Sequence, residues 1–332
     1  MTDAFAKHAA HLLKDIQDGP IRTGWHWLNY NFTPGTPEFV SVAHPTAMAL
    51  AAGDAVMPGF AAEQVKRLES LGGTDRDMGH YRQIMSWYCE MLVIGHLASY
   101  QWPAEVTFAM EPVVGESEKN PEILIRLDDV GALGVEVKAP DLGRHQLNRK
   151  TNDWQLVGRV PADLADLDGG VTFPRDNPVK DFLISADAKF AGFRAADPAF
   201  RSVLVIVWDD FVNEPLTALM APGSGLFTPN SFFQNNGKPV EFPNVDAALL
   251  VRHQHQVIEG LAGRKLGDGR QHLLDYGLPG QFPPPALVTN PFGQALPEEF
   301  LDSLHAVPAE KLSTAAEYNP SEIVMWFDTT PN

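Results

Sequence analysis

The clearest pattern of apolar positions in the chain is helical and runs from Tyr81 to Tyr100. Its apolar residues recur at helical spacing and give the helix one wide apolar face: Ile84, Tyr88, Met91, Leu92, Ile94 and Leu97. Trp102-Pro103 then ends the helix. A shorter helix is predicted over Ala61 to Leu71, because Gly72-Gly73 follows it directly.

Three strand patterns follow the long helix. Val106 to Met110 predicts the first strand, and Glu111 to Asn120 reads as a polar loop. Ile123 to Leu127 and Ala132 to Val137 are short apolar runs separated by Asp128-Asp129-Val130-Gly131. Asp and Gly between two such runs are typical of a turn, so this segment is predicted to be a β-hairpin.

The second half of the chain predicts a helix, a buried strand and then a loop-rich region. Pro178 to Arg194 reads as a helix, and the continuously apolar Val203 to Trp208 predicts a central strand covered on both faces. The remaining expectations are a strand at Leu216 to Met220 near the central one, a long ordered loop at Pro222 to Pro243, a strand or helix at Val245 to Leu261, a Pro-rich stretch at Leu278 to Pro297, and a short helix at Glu298 to His305.

Together these elements predict an α/β fold with a mixed central sheet flanked by helices. The predicted regions are an N-terminal helical part over 1–77, a core over 78–221 that contains the hairpin, and a loop-rich C-terminal extension of unknown function over 222–332. The hydrophobic fraction of 44% and the charged fraction of 20% are those of a globular protein.

The composition indicates in which cellular compartment the protein is expected. The single cysteine, Cys89, excludes an internal disulfide framework, and it reads as a packed thiol in the long helix. The N-terminus has no basic start followed by an apolar stretch, and no apolar run reaches the length of a bilayer span. We therefore expect a cytoplasmic protein without a membrane partner.

The formal net charge of −17 disfavours nonspecific binding to nucleic acid. It does not exclude an enzyme with a local basic groove, because binding depends on which charges face the phosphates.

The hairpin carries the residues that most favour chemistry. Alternate residues of a strand share a face, so Glu136 and Lys138 are expected to point the same way. Glu122 precedes the partner strand and can meet them across the hairpin. Two carboxylates near a core need compensation, and Mg²⁺, a hard cation that binds carboxylate oxygens, would supply it.

These residues resemble the motif of the PD-(D/E)xK nucleases, the fold of type II restriction enzymes and of many repair and recombination nucleases. Pro121-Glu122 stands where that family has Pro-Asp, and Glu136-Val137-Lys138 corresponds to its Glu-x-Lys. The helix before the hairpin and the helix and buried strand after it follow the order of the family. The resemblance covers roughly Tyr81 to Trp208 and implies a restriction-endonuclease-like core with N- and C-terminal additions.

The resemblance implies a role for each of the motif residues. Glu122 and Glu136 would bind Mg²⁺, or Mn²⁺ in its place, and the carbonyl of Val137 would complete the site. Lys138 would assist the attacking water and stabilise charge on the phosphate, while Glu90 on the long helix would support the site as the auxiliary Glu of the family. The substrate would be nucleic acid, most simply DNA, in a restriction or phage-defence setting.

The first acid departs from the family pattern, since it is Glu122 rather than Asp. Asp128 or Asp129 could take its place, although both lie in the predicted turn. A nuclease also needs a positive approach to Lys138, and the candidate contributors are Arg126, Arg144, Arg149, Lys150 and Lys189. A lysine at position 189 also has a simpler interpretation as a surface residue.

Two histidine pairs are candidate metal ligands. His253 and His255 would share one face of a strand, and His8 and His11 would lie one turn apart on a helix. Neither pair has an evident third ligand, so ordinary surface histidines are the simpler interpretation.

Two further functions remain open beside the nuclease. The chain could be a catalytically inactive scaffold or regulatory subunit that keeps the fold and binds a protein partner or a second copy of itself. It could also be an unrelated hydrolase or binding protein in which Glu-x-Lys is an accident of the sequence.

Overall fold

A mixed sheet of seven strands lies at the centre of the protein and carries helices on both faces. The computed structural model describes residues 2–72, 77–115, 119–141, 154–156, 171–172, 176–209, 213–312 and 325–327. Its helices are α1 (Asp3–Asp18), α2 (Pro20–Thr23), α3 (His44–Val56), α4 (Phe60–Ser70), α5 (Met78–Ser99), α6 (Asp176–Ala196), α7 (Asn213–Met220), α8 (Gln254–Leu261) and α9 (Glu298–Ser303), with a π-helical turn at Phe39–Ala43 and a 3₁₀ turn at Ala309–Lys311.

The strands follow the same numbering in chain order. They are β1 (Val106–Met110), β2 (Ile123–Leu127), β3 (Gly131–Lys138), β4 (Trp154–Leu156), β5 (Val171–Thr172), β6 (Arg201–Trp208), β7 (Gln234–Asn235), β8 (Lys238–Pro239), β9 (Ala247–Arg252), β10 (Ala286–Thr289), β11 (Val307–Pro308) and β12 (Met325–Phe327). The central sheet has the order β1-β2-β3-β6-β9-β10-β11, while β12-β4-β5 and β7-β8 form smaller sheets.

Both strand directions occur in the central sheet. β1, β2 and β3 form an antiparallel meander, β6 runs parallel to β3, and β9 runs parallel to β6. β10 is antiparallel to β9, and β11 is parallel to β10. The mixed sheet expected from the sequence is therefore confirmed at this level.

The alternation of side chains along the strands divides the core between the two faces of the sheet. On one face, odd-numbered residues such as Val135 and Val203 pack in one apolar cluster with α1, α3, α4 and α5. On the other face, even-numbered residues such as Leu204 pack with side chains of α6 and α7. Glu136 and Lys138 have the even parity and so project toward the side of α6.

A glycine allows close packing beneath β3. A Cβ atom added to Gly134 would lie 2.5 Å from Cζ of Phe200 and 3.1 Å from Cε1 of Phe190. Both rings therefore pack directly on the strand, in the space that a side chain at position 134 would fill. This contact holds the C-terminal half of α6 against β3, two residues before Glu136.

The long helix of the sequence is α5, and its ends have clear causes. Oδ1 of Asp77 accepts a hydrogen bond from the amide of Gly79 at 2.6 Å and so caps its N-terminus. Tyr100 takes an extended backbone conformation and ends the helix before Trp102-Pro103. The buried thiol of Cys89 lies on this helix, as the sequence predicts.

Two secondary-structure expectations were wrong. Leu216 to Met220 is not a strand near β6 but the C-terminal part of α7, whose apolar residues pack at helical spacing on the sheet. The histidine pair near residue 254 does not alternate on a strand, because β9 ends at Arg252 and α8 begins at Gln254.

The central sheet extends through the region expected to be a loop-rich extension. β9, β10 and β11 all follow residue 222, so the sheet crosses the boundary drawn at 221/222 from the sequence. The segment Val245 to Leu261 holds both a strand and a helix, and the helix predicted at Glu298 to His305 is α9.

One helical segment of the described residues, Phe39–Val56, is long and apolar enough to cross a membrane by length and composition alone. The sequence expectation that no apolar run reaches that length does not hold for it. Just over half of the segment is buried in the protein, and α3 packs there against α1 and α5. These are the contacts of a core helix.

Candidate active site

Glu136 is the centre of a cluster of charged side chains at one end of the β2–β3 hairpin. Its carboxylate has no exposed surface, and Oε1 lies 2.6 Å from Nζ of Lys138. The two residues occupy alternate positions of β3, so their contact follows from the pleat of the strand, as the sequence predicts. A buried carboxylate requires such a partner, since an isolated charge in the core is very unfavourable.

Glu122 lies across the hairpin from Glu136. The antiparallel register pairs Ile123 with Val135, and continuing it by one residue places Glu122 opposite Glu136. Burial, followed by the nearby charges of Glu90 and Glu136, raises the pKa of Glu122 to about 7. Burial disfavours the charged form and the nearby like charges add repulsion, so this carboxyl group holds its proton up to near neutral pH.

Lys189 of α6 completes the centre of the cluster. Its Nζ lies 2.7 Å from Oε1 of Glu136 and 3.6 Å from Oε1 of Glu122, so one ammonium bridges both carboxylates. Although burial opposes it, the charges of these two carboxylates raise the pKa of Lys189, and the side chain is a cation at neutral pH. The interpretation of Lys189 as a surface lysine was wrong.

A specific signal could have revealed Lys189. Lys189 lies one residue before Phe190, on a helix whose apolar residues face the sheet. A lysine beside that face is partly buried, and a buried cation needs an anionic partner. The even-numbered carboxylates of the hairpin point to the same side of the sheet.

Glu90 of α5 also reaches the cluster, where it is held by Arg67 of α4. The guanidinium donates two hydrogen bonds to the carboxylate, from Nη1 to Oε2 at 2.6 Å and from Nη2 to Oε1 at 3.2 Å. The charge of Glu90 contributes to the raised pKa of Glu122, so the two carboxyl groups interact electrostatically. The cluster has as many basic side chains as acidic ones: Arg67, Lys138 and Lys189 against Glu90, Glu122 and Glu136.

A small cavity of about 70 Å³ opens between α5 and the end of β3. Its lining consists of Ser86, Cys89, Glu90, Val137, Lys138 and Ala139. This volume has room for several water molecules. Lys138 and Glu90 therefore both line this small cavity.

One feature of the cluster favours the binding of a hard divalent cation, and another opposes it. Oε2 of Glu136 is buried and has no hydrogen-bond partner among the residues that the structure describes, which leaves one carboxylate oxygen for a ligand. The position between Glu136 and Glu122, however, is held by the Lys189 ammonium. Within the described ranges, no group of three or more His, Cys, Asp or Glu side chains is arranged to hold a metal ion.

The remaining candidates lie away from the cluster or outside the described residues. Asp128 and Asp129 are exposed in the hairpin turn at the opposite end of β2, so neither replaces Glu122 next to Glu136. Arg126 is exposed and lies four residues along the strand from Glu122, about 13 Å away. The candidate groove cations at positions 144, 149 and 150 fall outside the described residues.

The histidine pairs have other partners. Nε2 of His253 hydrogen-bonds the carbonyl of Leu273 at 2.7 Å, and burial lowers the pKa of this imidazole to about 3. His255 lies 3.6 Å from Asp268, and His8 lies 3.0 Å from Asp54. Neither pair of histidines is arranged for metal binding in the part of the chain that is described.

None of the family models, curated proteins or solved structures with which the chain was compared matches it.

Proposed function

We propose that this chain is a metal-dependent nuclease that hydrolyses phosphodiester bonds, with DNA as its first candidate substrate. The observation that carries the proposal is the convergence of Glu122, Glu136 and Lys138 at one end of one hairpin, with Oε2 of Glu136 buried and unpartnered among the described residues. The resemblance to the PD-(D/E)xK family supports it, as does the order of α5, the antiparallel meander, α6 and the parallel strand β6.

In this proposal the residues of the chain divide the work. The carboxylates of Glu122 and Glu136 and the main-chain carbonyl of Val137 would hold Mg²⁺ or Mn²⁺. When bound, such an ion supplies Lewis-acid polarisation of the phosphate and a nucleophilic hydroxide at neutral pH. Lys138 donates hydrogen bonds to the attacking water or to a phosphate oxygen, where negative charge develops.

Lys189 has a separate role in the same proposal. Its ammonium compensates Glu136 and Glu122 while no divalent ion is bound, and its flexible side chain can leave them when an ion binds. The released ammonium remains next to the site and is a ready partner for a phosphate oxygen. The proposal retains the expectation of a cytoplasmic protein.

Cleavage of plasmid and single-stranded DNA in the presence of Mg²⁺ or Mn²⁺ tests the proposal, with Glu136→Gln as the comparison. The wild type should cut and the variant should not, because the amide cannot supply the anionic oxygen that a hard cation prefers. A wild type that cuts no DNA or RNA substrate with either ion would overturn the nuclease proposal.

A second candidate is a catalytically inactive subunit that keeps the nuclease-like core as a scaffold. The observation that favours it is the internal charge balance of the cluster, in which Lys189 and Arg67 already satisfy the carboxylates without a metal. A scaffold of this kind would show no heat of Mg²⁺ or Mn²⁺ binding in calorimetry. The nuclease would show a heat that Glu136→Gln removes.

A further inference from the structure

A second cavity adjoins the small cavity at Glu90 and Lys138. It has a volume of about 200 Å³ and lies between α5, the segment after β3, and α8. Ser86 and Ala139 line both cavities, so the two lie side by side. A ligand in the larger cavity would therefore lie next to the small cavity that Glu90 and Lys138 line.

The larger cavity has apolar walls and a buried amide, that of Gln254, in its lining. Tyr81 and Met85 form the side on α5, and Pro140 and Ile258 face them. Tyr81 packs against Trp27, and the two ring centroids lie 5.2 Å apart. An aromatic wall suits a planar ring, because such rings stack on one another.

Gln254 supplies the polar group and has an amide orientation that is fixed. Its Nε2 donates a hydrogen bond to the carbonyl of Pro140 at 3.0 Å. The opposite end, Oε1, is buried and has no hydrogen-bond partner within the described part of the chain, although the residue is only 3% exposed. A buried acceptor without a partner costs free energy, so this atom is suited to a ligand that carries an N–H donor.

The two cavities lie one after the other along α5. Met78, Arg82, Ser86 and Glu90 follow one another at successive turns of α5 and all line the two cavities. At 1.5 Å per residue they span about 18 Å, which exceeds the length of one nucleotide. At the rim, the exposed Arg82 pairs with Asp141 at 3.0 Å and offers a cation near the path of the backbone.

We propose that the larger cavity is a subsite for one unstacked nucleobase, and hence that the chain binds single-stranded nucleic acid. The base would stack on Tyr81 and donate an N–H to Oε1 of Gln254, which places its phosphate toward Lys138. Bases paired and stacked in a duplex cannot enter a cavity of this kind. This inference rests on the proposed function for its substrate class, and its test does not depend on cleavage.

The test is binding of short labelled oligonucleotides by fluorescence anisotropy, in EDTA so that no divalent ion takes part. The ligands are single-stranded DNA, single-stranded RNA, a DNA duplex, and a single strand without bases. The variants are Ile258→Trp and Ser86→Phe, which fill the cavity, with Leu278→Trp as the control, because Leu278 is a highly exposed hydrophobic residue outside the lining of both cavities. A thermal melt confirms the fold of each variant.

The wild type and Leu278→Trp should bind one or both single strands about tenfold or more tightly than the strand without bases, as expected when a stacked base contributes. Either folded cavity-filling variant should lose that difference. Wild-type binding that ignores the bases, or no binding to either single strand, would overturn the base subsite.

The outcome also separates the subsite from the nuclease proposal. Base-dependent binding without cleavage by any metal would retain the subsite and remove the nuclease. Metal-dependent cleavage with base-independent binding would retain the nuclease and remove the subsite.

Discussion

Nζ of Lys189 lies 2.7 Å from Oε1 of Glu136, although the two residues are 53 positions apart in the chain. The ammonium also lies 3.6 Å from Glu122, so it occupies the place between two carboxylates where a shared metal ion was expected from the sequence. Lysine and a divalent cation therefore compete for the same oxygens.

Replacing Lys189 by methionine should strengthen Mg²⁺ binding and make stability depend on Mg²⁺. Without the ammonium, the buried carboxylate of Glu136 loses one of its partners, and the variant should melt below the wild type in EDTA. Added Mg²⁺ should raise its melting temperature more than that of the wild type, since ligands that bind the native state stabilise it. Calorimetry and thermal melts with and without Mg²⁺ measure both effects.

Lys180→Met is the matched control for that variant. Lys180 lies on the same helix with nearly the same exposure, 24% against 22%, but its carboxylate partner, Asp181, is largely exposed. Its replacement should leave the response to Mg²⁺ unchanged. Equal responses of the two variants would contradict competition between Lys189 and a metal.

The hairpin and its neighbours could be predicted from the sequence because their signals are local. The turn at Asp128-Asp129, the alternation of Glu136 and Lys138, and the helical spacing of α5 all arise within a few residues. The convergence of Glu122 on Glu136 also followed, since a two-stranded register fixes it.

The rest of the site depends on packing between distant elements. A local pattern can mark a residue such as Lys189 as needing a partner, but it does not specify which carboxylate it meets. Arg67 and Glu90 meet because α4 and α5 pack side by side, and Lys189 meets Glu136 because α6 crosses the sheet. Leu216 to Met220 failed as a strand because four apolar residues out of five fit either a strand or a buried helix.

Replacing Lys138 by alanine should abolish cleavage and leave Mg²⁺ affinity nearly unchanged. Lysine is not a ligand for Mg²⁺, so its loss is felt only where charge builds on the phosphate. Lys189 still compensates Glu136 in this variant, and the fold should persist. Glu136→Ala should lose both activity and metal affinity, because it removes an anionic oxygen.

Single-turnover cleavage with a parallel metal titration separates the two variants. A wild-type rate in the Lys138 variant would remove this residue from the mechanism. An equal loss of metal affinity in both variants would instead assign Lys138 a structural role in the cluster.

The Arg67–Glu90 pair should contribute about 1–3 kcal/mol of coupling energy to stability, because the carboxylate is only 14% exposed and the guanidinium binds it with two hydrogen bonds. A double-mutant cycle with Arg67→Met and Glu90→Gln, followed by chemical denaturation, measures this energy. The exposed pair Arg264 and Glu259 is the control, and its coupling should be clearly smaller, because solvent screens it. Equal couplings would show that the burial of Glu90 does not strengthen its interaction with Arg67.

The raised pKa of Glu122, about 7 against an ordinary value of 4.5, predicts two opposite dependences on pH. A carboxyl group whose pKa is higher in the folded state stabilises the fold most below its unfolded pKa, and this contribution is lost as pH rises through the folded pKa. In EDTA, the melting temperature of the wild type should therefore fall from pH 5 to pH 8 relative to Glu122→Gln. Mg²⁺ affinity should rise as the pH approaches 7 and level off above it, because a ligand carboxylate must lose its proton. Thermal melts and calorimetry at each pH measure how the melting temperature and the Mg²⁺ affinity change with pH, with Glu122→Gln as the reference. Parallel curves for the wild type and the variant would show that Glu122 does not titrate near neutrality.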